Sequence, residues 1–141
     1  YSNGAGMTHR LGIETDHFRA FAALSTALTV ELQPDAQAHT ESVLQIHGMD
    51  DATCPYAGGE SPVDHIFESA EVSASIWATA IGCNGDPVSD NKPNGDRWIT
   101  WTNCPEGHAV QHIGLARQGH DLPRGFMGGI NEFVWEFLST H

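Results

Sequence analysis

The chain has 141 residues, enough for one domain with a buried core, and carries a formal charge of −12 with only six Lys plus Arg. Nothing in it could neutralise a phosphate backbone or adhere to an anionic membrane surface, so nucleic acid and lipid headgroups are poor partners. No apolar run reaches transmembrane length, and small or neutral substrates remain open.

In chain order, Ser2 precedes Asn3-Gly4-Ala5-Gly6 and a helical stretch to about Asp16, with Met7 and Leu11 four apart. A serine in that place is also an ordinary helix N-cap. Phe18 to Leu28 contains the apolar run Phe21-Ala22-Ala23-Leu24 and predicts a strand. The polar segment Gln33 to Thr40, with Pro34, predicts a loop.

Ser42 to Gly48 carries Val43, Leu44 and Ile46, the kind of run buried in a parallel sheet. It breaks at Gly48 into the acidic turn Asp50-Asp51, and Pro55 stops it. Carboxylates at the carboxyl end of a buried strand stand where open α/β sheets place their chemistry, although an acidic turn can also merely reverse the chain. Ser61 as N-cap, Pro62 at the first helical position and Asp64 in the first turn then predict a helix start. Val63, Ile66, Phe67, Ala70, Ala74, Trp77 and Ile81 continue it at helical spacing to a stop at Gly82.

Asn84 to Asp96, with Gly85, Pro87, Pro93 and Gly95, predicts a loop, and Trp98 to Thr102 a strand. Pro105-Glu106-Gly107 reads as a turn, and Ala109 to Leu115 as another strand, ending before the break Gln118 to Pro123 that holds His120. Phe126, Ile130, Phe133, Val134, Phe137 and Leu138 mark a C-terminal amphipathic helix. The alternation of elements argues for a single α/β domain over 1–141, built on a mainly parallel sheet.

The cysteines Cys54, Cys83 and Cys104 form no CxxC pair. Cys83 and Cys104 flank one Gly/Asn/Pro-rich segment; a bridge between them would suit an oxidising compartment, whereas three reduced thiols would suit the cytosol. The nine histidines show no HExxH or comparable ligand spacing, so no metal is expected from them.

Three chemically able residues thus fall at element ends: Ser2, Asp51 and His120. Serine, acid and histidine in that chain order is the α/β-hydrolase order. Tyr1-Ser2-Asn3-Gly4 matches the latter part of a GxSxG nucleophile elbow, and HGMDDATCPY, His47 to Tyr56, resembles the HG-x-x-D-x-x-x-P-Y stretch of the polyhydroxybutyrate depolymerase and feruloyl esterase family. Gln118 to Pro123 is similar to that family's G-H-x-x-P segment, and Trp77, Gly82-Cys83, Trp101, Cys104 and Gly107 to its W…GC…W…C…G pattern.

The likeness spans nearly the whole chain but only the second half of the family fold. It implies a truncated α/β-hydrolase with flanking helices, lacking the strands and oxyanion loop that precede the elbow. It further implies a serine esterase for short acyl, feruloyl or polyhydroxyalkanoate-type esters. Ser2 would be the nucleophile, His120 the general base and Asp51 its orienting acid. Asp50 is the rival acid; His108 and His112 are the rival bases. Asn3 N–H would supply one oxyanion donor. His47 would hydrogen-bond beneath the loops, and Trp98, Trp101 and Trp135 would be core or rim aromatics. Secretion or a periplasmic location would follow from a Cys83–Cys104 bridge. The apolar strand around Phe21, left at an edge, predicts association with a second copy or with a missing N-terminal half. The rival reading is a catalytically silent remnant that serves as a binding or assembly module.

Overall fold

The computed structural model describes residues 1–35, 38, 41–105 and 107–141. In order it contains α1 (Asn3–Glu14), β1 (Ala20–Leu24), β2 (Ser42–Gly48), β3 (Gly59–Glu60), β4 (Ile66–Phe67) and α2 (Ala70–Ile81). There follow β5 (Val88–Asn91), β6 (Arg97–Trp101), β7 (Ala109–Leu115), a 3-10 turn (Phe126–Gly128) and α3 (Ile130–Thr140).

Five strands form one sheet in the order β1-β2-β7-β6-β5, and β3 with β4 makes a separate short ribbon. The β1–β2 and β2–β7 pairs are parallel, whereas β7–β6 and β6–β5 are antiparallel. The sheet is therefore mixed, and the expectation of a mainly parallel sheet is corrected. The short connections into β6 and β7 lack a crossover helix, and hairpin-length links force antiparallel neighbours.

Alternation along the strands sorts the core onto two faces. Phe21, Ala23, Val43 and Val110 pack with Ala5 of α1 and with Ala74, Trp77, Ala78 and Ile81 of α2. Leu44, Ile46, Ile113 and Leu115 face the other way and meet Phe137 and its neighbours on α3. Helices thus cover both faces. β2 is buried from end to end, as a strand between two parallel neighbours should be.

Other expectations also change. The helix placed from Pro62 begins only at Ala70, capped by the Ser69 hydroxyl, which accepts from Val72 N–H. Ser61 instead closes a local turn with His65, and Asp64 takes φ 58°, outside the helical region. Ile66 and Phe67 are drawn into extended backbone by β3 and by Val30 N–H, which donates to Ile66 O at 3.0 Å. Helical spacing there was coincidental with a ribbon that needed a distant partner.

The supposed loop Asn84–Asp96 contains β5, whose residues are all exposed, so no apolar pattern announced it. The C-terminal helix starts at Ile130, after the short turn at Phe126. Of the predicted loop Gln33–Thr40, positions 36, 37, 39 and 40 lie outside the described residues, as does Glu106 of the predicted turn. Cys83, just beyond α2, and Cys104, just beyond β6, form a disulfide, while Cys54 is a free, buried thiol.

Candidate active site at the carboxyl ends of β1, β2 and β7

The three parallel strands finish at one edge: the end of β1 anchors Ser2, Asp51 follows β2 and His120 lies in the segment after β7. Ser2 N–H donates to Leu24 O, the last carbonyl of β1, at 2.9 Å. This fixes the start of α1 above the end of that strand. Ser2 itself has φ 52° and ψ −127°, a conformation that L-residues adopt only under constraint. Its side chain makes no capping bond to α1. Its hydroxyl lies 2.8 Å from His120 Nε2 instead. The ordinary N-cap reading of Ser2 therefore does not describe this geometry.

Asp51 follows β2 directly. Glycine at 48 permits the close approach of two loops: a Cβ there would collide with the carbonyl oxygens of Gln118 and Gly119. Asp50 N–H donates to Gln118 O at 3.0 Å, so the acidic turn is tied to the segment that carries His120. Asp50 is exposed, while Asp51 is buried. Of the two acids it is Asp51 that reaches the histidine, with Oδ2 2.9 Å from His120 Nδ1.

The Asp51 carboxylate is held on every side. Oδ1 accepts from Thr53 N–H and Cys54 N–H, both at 2.9 Å, and Oδ2 stands 3.2 Å from His47 Nε2 as well as beside His120. Burial works to raise its pKa, but the hydrogen bonds from His47, His120, Cys54 and Thr53 outweigh burial and hold it well below the usual carboxylate range. An ionised Asp51 requires a proton on His120 Nδ1, which leaves Nε2 free to accept from the Ser2 hydroxyl.

His120 is partly open, its side chain 22% exposed, and Tyr1 lies over it with ring centroids 5.4 Å apart. The Tyr1 hydroxyl donates to His120 O. The rival histidines are placed elsewhere. His112 is buried in β7 between Gln45 and Tyr56, and burial pushes its pKa down to about 3. His108 Nδ1 is buried without a hydrogen-bond partner among the described residues, and the Ser2 hydroxyl bonds to His120.

Asn3 is the first residue of α1, so its N–H has no acceptor within the helix and lies at the positive end of the helix dipole. Beside Ser2 opens a cleft of about 790 Å³, walled by Met7, Leu28, Val63 and Phe67 and edged by Thr26 and Cys54. Burial raises the Cys54 thiol pKa, so the neutral thiol behaves there as a small apolar group.

Among the described residues no cluster of three or more His, Cys, Asp or Glu is arranged to hold a metal ion. No helix among them is long and apolar enough to cross a membrane. The aromatics divide: Trp101 is buried, Trp98 packs with Phe126 and Phe133, and Trp135 is largely exposed. Sequence reasoning missed the Tyr1–His120 contact and the tie between His47 and Asp51. The second had a faint signal, because the two residues stand four apart across a glycine turn. In comparisons with known proteins, no family model, curated protein or solved structure matches this chain.

Proposed function

We propose that this chain is a serine esterase of the α/β-hydrolase kind, cleaving carboxylic esters through an acyl-enzyme. One observation carries the reading. Ser2 Oγ lies 2.8 Å from His120 Nε2, and His120 Nδ1 lies 2.9 Å from a buried Asp51 carboxylate. That order of contacts is what an activated serine needs.

In the first half-reaction the Ser2 oxygen adds to the ester carbonyl while His120 Nε2 takes its proton. Asp51 stabilises the imidazolium, and Asn3 N–H faces the developing oxyanion. Collapse of the tetrahedral species expels the alcohol, which receives the proton from Nε2. In the second half-reaction His120 removes a proton from water as it adds to the acyl-enzyme. The acid is released, and the proton returns to Ser2. No metal or organic cofactor enters either step.

Apolar cleft walls and the −12 charge favour neutral esters over anionic ones. The motif likeness to polyhydroxybutyrate depolymerases and feruloyl esterases suggests short acyl, hydroxycinnamoyl or hydroxyalkanoate esters, and a secreted or periplasmic setting agrees with the Cys83–Cys104 bridge. The test is hydrolysis of p-nitrophenyl butyrate by the native protein and by Ser2→Ala. The expected result is turnover that the substitution removes almost entirely. Turnover that is absent, or that persists in Ser2→Ala, would replace this reading with that of a silent remnant serving as a binding module.

A further inference from the structure

We propose that His47 is a positioning residue, which aims the Asp51 carboxylate at His120 through a shared Nε2–H. For its effect on turnover this rests on the esterase reading; its geometry does not.

His47 is the penultimate residue of β2, with no exposed side-chain surface. Its Nε2 lies 2.8 Å from Cys54 O and 3.2 Å from Asp51 Oδ2. Both partners are acceptors, so Nε2 must carry the proton and share it between them. Cys54 in turn donates its N–H to Asp51 Oδ1 at 2.9 Å. The three residues therefore close a ring of contacts in which neither carboxylate oxygen can swing away unless a buried partner is lost. The Tyr56 ring meets the His47 ring edge to face at 5.6 Å. Tyr56 is itself pinned by hydrogen bonds to His112 and Glu71.

Asp51 Oδ2 thus stands between two imidazole N–H groups, one catalytic and one supporting. The supporting one costs no proton in turnover and keeps the anion oriented toward His120 Nδ1. An anion so held faces the positive charge that forms on the His120 ring when Nε2 takes the Ser2 proton. The titratable groups around His47 are Asp51 and Cys54 on the following turn, Tyr56 beyond it, His9 on α1, His112 on β7 and His120 across the carboxylate. Burial keeps His9 and His112 neutral in the working pH range.

The test compares the native protein with His47→Gln, which keeps an N–H donor, and His47→Leu, which keeps none. The readouts are the His120 ring titration by NMR and the pH profile of kcat/KM for p-nitrophenyl butyrate. His47→Leu is expected to lower the His120 midpoint, carry the acid limb of the profile to lower pH and reduce kcat/KM about tenfold. His47→Gln is expected to stay near the native protein in all three. A His120 midpoint identical in the three proteins overturns the proposal, as does a loss of kcat/KM with the midpoint unmoved. Should His47→Leu fail to fold, the native spectrum still decides: a slowly exchanging proton on His47 Nε2 supports the assignment, and a proton on Nδ1 overturns it. If the native protein shows no Ser2-dependent turnover, the esterase reading falls while the His120 midpoint still tests the positioning.

Discussion

At the scale of single residues, the two adjacent acids after β2 show how little side-chain chemistry says without burial. Asp50 and Asp51 are chemically identical neighbours, yet one faces solvent and the other is enclosed by four N–H groups. If Asp51 orients His120, Asp51→Asn should leave the fold intact and reduce kcat by about 10⁴, because an amide at that place favours the wrong imidazole tautomer. Asp50→Asn should remain close to native. Steady-state kinetics on both variants checks this, and equal losses would show that the acid had been wrongly assigned. The motif likeness selects Asp51 by its distance from His47, and the enclosure gives that selection a physical basis. His47 itself, a few residues upstream, illustrates the converse. Its hydrogen bonds run to a carbonyl and a carboxylate on the turn that follows it, and only the four-residue spacing to Asp51 hints at them.

At the scale of elements, strands were more legible than their partners. β2 was readable from Val43, Leu44 and Ile46, although Ser42, Gln45 and His47 are buried beside them, and β7 from Val110, Ile113 and Leu115. β5 was not, since an exposed edge strand of four residues needs no pattern at all. The segment 62–67 misled because a helical period over six residues is weak evidence against a ribbon closed by residues from elsewhere in the chain. β1 raises a different matter. It lies at an edge of the sheet, paired with β2 on one side only, and carries Phe21, Ala22, Ala23 and Leu24. An apolar edge strand of that kind is a template for further pairing. Association through it with a second copy is therefore expected at micromolar concentration. Static light scattering measures it directly; a folded, active monomer would remove the expectation.

At the scale of the whole molecule, acid sensitivity follows from which groups the fold buries. His9 and His112 are buried, and burial pushes each pKa down to about 3. Unfolded, each would titrate near 6.5 and so bind a proton that the folded protein refuses. Stability is then fully present above about pH 6.5 and falls as the pH drops from there toward 3, by up to about 1.4 kcal/mol per pH unit for each histidine. Asp51 acts in the same direction lower down: its depressed folded pKa means a contribution present above the unfolded carboxylate value and lost on further acidification. The urea midpoint should accordingly be clearly lower at pH 5 than at pH 7. An unchanged midpoint would mean that these histidines take up protons in the folded state.

By itself the sequence determined an α/β chain, the buried strand β2, the helices near both termini and three chemically able side chains at element ends. These are consequences of local patterning: period, glycine and proline punctuation, and residues placed where strands run out. Only the tertiary structure decided the mixed strand order, the late start of α2, the burial of Asp51 beside an exposed Asp50 and the partners that His47 meets. Each of those depends on contacts between residues distant in the chain or on desolvation. Neither quantity is encoded in a local period, because both exist only once the sheet has brought the carboxyl ends of β1, β2 and β7 together.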